Sequence, residues 1–370
     1  MSKNGAEFFS TGTDYRKVTT ALLAFIALTG VVFVLYELMD VLLPLVFALI
    51  LSQLFKPLIS ILRARRIPLA LCVVAVLLIV AAMLTAILLI ITGGVQSIVA
   101  QAPKYQDNLT KLVQSFDAWS SSFLALMGKH VAHVDLADSV QLSSITSILA
   151  SGAGSFFNLL ANMFLTLLFL IFLLLGSEDF PAKIYKAFST EDSYRLTEIM
   201  TMINAKVRRY LVTKTIINVI VAGATVIILL AFGVDFPYFI GILTFFLNYI
   251  PNFGPLMAVA LPVLTSLLGL QSWGFILALA IVLVVFHSVI GNFVEPKWMG
   301  SSLDLSPLAV LLSLIFWGWV WGVWGMILAV PITSIIKIGC EHIVPLKPVA
   351  LLMGTMSAHA SPQDPGLRDA

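Results

Sequence analysis

Charge is scarce in this sequence. Acids and bases make up 11% of its residues, less than half the roughly 25% of a soluble domain. Hydrophobic residues reach 60% and the mean hydropathy is +1.03. So little polarity cannot clothe a soluble fold of 370 residues, and that class is excluded. Cysteine is almost missing too. Cys72 and Cys340 stand alone and far apart, which excludes a disulfide framework and a cysteine-ligated metal site. Ser151-Gly152-Ala153-Gly154-Ser155 lacks the Lys-Ser/Thr ending of a phosphate loop, so no nucleotide motor is encoded. The net charge of +2 gathers in joints between apolar runs and leaves no basic face for nucleic acid. No nucleophile–base arrangement occurs, so catalytic residues, a cofactor and a resident metal are not expected. His130, His133 and Asp135 have a ligand-like spacing, which a solvated loop explains better.

What the sequence has in plenty is uninterrupted apolar runs of the roughly 20 residues that cross a bilayer. Single spans are predicted over Val18–Tyr36, Val41–Leu62, Pro68–Ile91, Phe156–Leu175, Thr215–Phe232 and Trp273–Asn292. The first has no small-residue cleavage site and reads as a retained helix. Lys56, Arg63, Arg65 and Arg66 load the end of the second span, and basic residues outnumber acids between Gly176 and Lys214. By the positive-inside rule these segments and both termini are cytoplasmic.

The predicted organisation is therefore a cytoplasmic N-terminus (1–17), N-terminal spans (18–92) and an extracytoplasmic amphipathic region (93–152). A further span (153–176), a cytoplasmic helical region (177–214), a C-terminal repeat region holding the transport site (215–340) and a polar cytoplasmic tail (341–370) follow. In the outer region Ile98, Ala102, Tyr105, Leu109, Leu112, Phe116, Trp119, Phe123 and Leu126 alternate steps of four and three. That seam packs one helix lengthwise on another, either this chain's own spans or a second subunit. Pro103 is expected near a helix start, where its missing N–H is harmless.

Two long segments of the C-terminal half share a layout. Pro237 and Pro262 are 25 residues apart and Pro307 and Pro331 are 24 apart, each pair flanking an apolar run with a polar or glycine-rich break. The first break is Asn248–Pro255, hinged by Pro251, Gly254 and Pro255; the second is Trp317–Gly325, hinged by Gly318, Gly322 and Gly325. Broken backbone is tolerated in lipid only where protein or a wet cavity satisfies it. Each segment thus reads as a hairpin of half-helices, and the two as an inverted repeat with a solute site between them. The fold class is all-α, a polytopic helical membrane protein with two broken-helix hairpins.

Polar groups within spans are costly, so each needs a reason. Asn248, Asn252, Asn292 and Glu295 are the candidates for binding solute or ion. Asparagine amides suit hydroxylated solutes or a dehydrated cation. Glu295, the only acid between Asp235 and Asp304, can neutralise Lys297, bind a proton or sodium, or sit at the interface. His287 is either packed or a proton relay. Trp317, Trp319, Trp321 and Trp324 read as an interfacial anchor, with stacking on solute as the alternative.

These residues carry a resemblance. Tyr249-Ile250-Pro251-Asn252-Phe253-Gly254-Pro255, Asn292-Phe293-Val294-Glu295-Pro296-Lys297-Trp298-Met299-Gly300, Leu305-Ser306-Pro307-Leu308 and Trp321-Gly322-Val323-Trp324-Gly325-Met326 stand in the order of the autoinducer-2 exporter family, the PerM-like permeases. The chain resembles that family over residues 18–345, with Phe253 where an aliphatic residue is common. The resemblance implies a bacterial inner-membrane permease exporting a small polar solute, such as a furanosyl quorum-sensing signal. It also implies a homo-oligomer, a pentamer by family likeness; the polar candidates themselves suggest a proton or sodium ion as coupling ion, with membrane lipids as surroundings. The alternatives are a sodium/proton antiporter and a non-transporting oligomeric scaffold built on the outer seam.

Overall fold

The computed structural model describes residues 11–126, 152–176, 180–187, 189–299 and 304–355. His130, His133, Asp135 and most of the polar tail lie outside the described residues. Among the described residues every regular element is a helix. We label them α1 (Thr11–Glu37), α2 (Met39–Ala64), α3 (Leu69–Leu126), α4 (Gly152–Gly176), α5 (Phe180–Ala187), α6 (Thr190–Phe232), α7 (Pro237–Leu247) and α8 (Phe253–Leu268). Then come α9 (Trp273–Val289), a π turn (Ile290–Val294), α10 (Glu295–Met299), α11 (Pro307–His342) and α12 (Lys347–Met353). Six of the helices are long and apolar enough to cross a membrane. The protein is a multi-pass membrane protein.

Its packing suits that solvent. Leu22, Phe25 and Ile26 of α1 are exposed, as apolar residues facing hydrocarbon should be. The buried clusters lie between helices. Ala48 and Ile59 of α2, Cys72, Val76 and Val80 of α3, and Leu170 and Leu174 of α4 form one of them. Leu229 of α6, Ile240 of α7 and Leu279 and Leu283 of α9 form another. A third joins Val207, Tyr210 and Leu211 of α6 to Val330 of α11. The long α6 thus meets both halves of the C-terminal region. It also reaches α2, where Gln53 donates to Asn204 at 2.9 Å.

Two expectations about α3 need correction. The helix does not end at Ile91 but continues to Leu126, 58 residues in all, and Pro103 lies in its interior rather than near a start. The proline is exposed, so its ring stands off the packed face and the helix passes through. Within the outer seam, Tyr105 is buried against the chain's own Phe236, with ring centroids 6.1 Å apart. Its hydroxyl donates to Asp235 at 2.8 Å, and Asn108 donates to the Leu268 carbonyl at 2.9 Å. This part of the seam packs on the same subunit. α3 thereby grips both arms of the α7–α8 hairpin at its open end.

Both C-terminal segments are broken. α7 and α8 are separate helices joined across Asn248–Asn252. α11 is interrupted at Trp321 (φ −127°, ψ 17°) and Gly322 (φ 61°, ψ −144°), the latter a backbone region open in practice to glycine. The chain folds back there, which lets Trp317 Nε1 donate to Thr333 Oγ1 at 3.3 Å, sixteen residues on. The hairpins open at different levels of α6, one near its C-terminal end and one near its middle. The α7–α8 opening adjoins Leu229 and Val234, and the α11 opening lies by Val207 and Tyr210. Their breaks meet. Trp324 sits edge-on to Phe246 at 6.2 Å and to Phe47 of α2 at 5.4 Å.

Candidate functional site

Lys214, Asn218, Val221 and Thr225 recur at steps of four, three and four, so they share one face of α6. Each is at most 3% exposed. A charged side chain and an amide buried inside an apolar helix both require partners. The partners come from the first hairpin and from the turn after α9.

At the hairpin, α7 stops at Leu247 and leaves its last carbonyls without intrahelical partners. Asn218 Nδ2 donates to one of them, Phe245 O, at 3.2 Å, and Asn218 Oδ1 accepts from Asn248 Nδ2 at 2.7 Å. The amide of α6 therefore caps the broken helix from the side. One turn along, the Thr215 hydroxyl donates to the Leu211 carbonyl at 2.6 Å. Its single proton is used there, so the Tyr249 hydroxyl must be the donor across the 2.7 Å contact with Thr215 Oγ1. Close approach of the two arms depends on Gly254, where a Cβ would run into the Leu247 carbonyl and Asn248 Cα. Gly325 serves the second hairpin the same way against the Trp317 carbonyl, and Gly318 leaves room for Met326.

The charge is met from the other side. Glu295 forms an ion pair with Lys214, with the lysine side chain 4% and the glutamate side chain 24% exposed. Lys297, the partner considered on sequence grounds, is exposed at this end of the structure. A buried pair stands or falls together, because either ion alone in a low-dielectric site costs several kcal/mol. Leu229 packs with Leu279 and Leu283 while Lys214 pairs with Glu295, so α6 and α9 run antiparallel. That register sets His287 level with the turn between Asn218 and Thr225. His287 is buried and its Nε2 has no hydrogen-bond partner.

Of the four candidates chosen from the sequence, two come to this face, Asn248 and Glu295. Asn252 and Asn292 are exposed. Asn252 has a backbone task instead: with φ 62° and ψ −41°, and Phe253 N–H bonded to Pro251 O at 2.7 Å, it is the centre of a strained γ-turn. The tryptophans also divide. Trp317 and Trp321 are core residues of the second hairpin, Trp321 donating to the Leu35 carbonyl of α1 at 2.9 Å, whereas Trp319 is exposed. Sequence reasoning missed Lys214 and Asn218. Their spacing within an apolar run was the available signal. No group of three His, Cys, Asp or Glu residues suited to a metal occurs among the described residues.

Broken helices that meet tip to tip beside a buried ion pair and an amide pair define a membrane transport protein rather than a passive anchor. Comparison with known proteins supplies the particular group. The family described as AI-2E family transporter matches residues 22–344, and the chain belongs to that family. It is similar to the AI-2 transport protein TqsA of Escherichia coli (strain K12), with 30% identity over 318 residues, 86% of this chain and 90% of that protein. A protein of Borreliella burgdorferi named "Putative transport protein" is 30% identical over 268 residues, 70% of each chain. One of Escherichia coli (strain K12) named "Putative transport protein YhhT" is 29% identical over 317 residues, 85% of this chain and 88% of the other.

Proposed function

We propose that the protein is a secondary transporter of the bacterial inner membrane that exports a small polar solute against its gradient, driven by inward movement of a proton or sodium ion. The observation that carries this reading is the Lys214–Glu295 pair, buried beside the Asn218–Asn248 amides where the hairpin breaks meet. A charge pair held there needs a use, since well-packed apolar residues would be no less stable. Solute binds between the two breaks, with Asn248 and the edge of Trp324 at hand, and the ion competes at Glu295. The basic excess between Gly176 and Lys214 orients the pair toward the cytoplasm. The two hairpins then act as an inverted repeat that alternates access to the two sides. The name AI-2 transport protein borne by TqsA, together with the family resemblance, makes a furanosyl quorum-sensing signal a fitting solute class.

The energetics suffice. One charge moving down about 100 mV releases roughly 2.3 kcal/mol, and a tenfold ratio corresponds to about 1.4 kcal/mol. One ion per cycle thus sustains a gradient of a neutral solute of roughly forty- to fiftyfold. The test begins with exported metabolites compared between cells with and without the protein, followed by flux of the enriched compounds in proteoliposomes. Glu295→Gln is expected to abolish gradient-driven uptake in everted vesicles. Unchanged coupling in that variant removes Glu295 from the ion pathway.

A further inference from the structure

The buried stripe of α9 is Ile276, Leu279, Leu283 and His287. At 3.6 residues per turn, each step rotates about 100°. Continued as an α-helix, the stripe would present Ile290 and then Val294, seven residues after His287, and Glu295 would point about 100° away from it. Yet Glu295 is the residue that meets Lys214. The π turn accounts for the difference. The Glu295 amide bonds to the Ile290 carbonyl, five residues back, so the turn stores one extra residue and brings position 295 onto the stripe. At Gly291, in the turn, a Cβ would meet nothing within 4 Å. No neighbour is wedged against Gly291 itself, and no residue of the turn is fully buried.

We propose that this π turn is a register switch for the ion pair, an inference that rests on the transport reading above. With the extra residue stored, Glu295 faces Lys214 and the pair is closed. When the turn closes up as α-helix, Val294 takes that place, Glu295 swings aside, and the Lys214 ammonium is released toward the hairpin breaks. The positioning element is the turn at Ile290–Val294, and the moving charge is Glu295. The same one-residue step operates further on. Met299 packs against the buried cluster that contains Val207 while Trp298 is exposed, and the two exchange when the register shifts.

Cysteine pairs read the register while leaving Lys214 and Glu295 intact. In the full chain with Cys72 and Cys340 replaced by alanine, V207C with M299C reports the stored register and V207C with W298C the closed one. Copper-phenanthroline oxidation of membrane vesicles is expected to cross-link both pairs, in a proportion that shifts when a proton or sodium gradient is imposed. Deletion of Gly291 removes the extra residue and fixes Glu295 on the stripe. That variant is expected to cross-link through position 299 alone and to lose gradient-driven flux while melting like the parent protein. The proposal is overturned if the W298C pair never forms under any gradient, or if the deletion variant transports at the parental rate. Should the deletion fail to fold, the cross-link proportion in the full-length chain decides. Cross-linking needs no solute, so an error in the transport reading would show separately, as absence of flux in the parent protein.

Discussion

Lys214 and Glu295 are worth more as a pair than either is alone. Glu295→Ala strands a buried ammonium and is expected to destabilise the protein by about 3–5 kcal/mol. Replacing both residues by methionine removes the stranded charge, so thermal unfolding in detergent should return close to the parent value while uptake stays absent. A double variant as unstable as Glu295→Ala would show that the site depends on more than the pair. Glu295 was legible in the sequence because it is an isolated acid in an apolar stretch. Lys214 was not. A lysine opening an apolar run reads the same whether it snorkels to the interface or lies inside, and only its burial against Glu295 shows that it lies inside. Asn218 was hidden by the ordinary tolerance of helices for a single amide; its purpose appears only when the broken end of α7 comes alongside.

The hairpins belong to the scale of elements, and here the sequence spoke more clearly. Proline, glycine and asparagine interrupted both apolar segments, and both breaks fall within the predicted stretches, at Asn248–Asn252 and at Trp321–Gly322. What residues alone could not say was which asparagine serves the backbone. Asn252 does, through its γ-turn. Asn252→Gly keeps the turn, relieves roughly 1–3 kcal/mol of backbone strain and deletes the amide. Transport at the parental rate, with a raised melting temperature, is the expected result, and loss of flux would restore the side chain as a ligand. Gly254→Ala should act the opposite way. Its methyl meets backbone rather than a flexible side chain, so the arms must part at a cost of about 1–3 kcal/mol, read as a lower melting temperature. The length of α3 escaped notice for a comparable reason. Polar residues after Gly94 suggested a new element, but a helix leaving lipid for water changes its composition without changing its course.

For the whole molecule, the described helices assemble around α6, which holds the ion pair and touches both hairpins. The far ends of the assembly are tied down separately. Lys337 of α11 donates to the Asp304 carbonyl at 2.8 Å and to its carboxylate at 3.0 Å, and the Ser306 N–H bonds to the Met353 carbonyl at 2.8 Å. At the opposite end Tyr105 and Asn108 hold the first hairpin. Tyr105→Phe leaves the ring in place and removes one hydrogen bond to a charged group, worth about 1.5–3 kcal/mol. Faster proteolysis in the Gly233–Phe236 joint, with the ion pair intact, is the expected signature. Undiminished protection would show that α3 holds the hairpin by ring packing alone.

A rod of 58 residues without a break is about 87 Å long at 1.5 Å per residue, nearly three times the hydrocarbon thickness of roughly 30 Å. Its grip on the hairpin at Tyr105 and Asn108 lies about two thirds of the way along, so about 27 Å of it runs on past Asn108. A rocking of the hairpin by some 6° would sweep that free end through about 3 Å. Motion too small to see at the pivot becomes easy to follow at the tip, and a fluorophore placed there would keep time with the transport cycle.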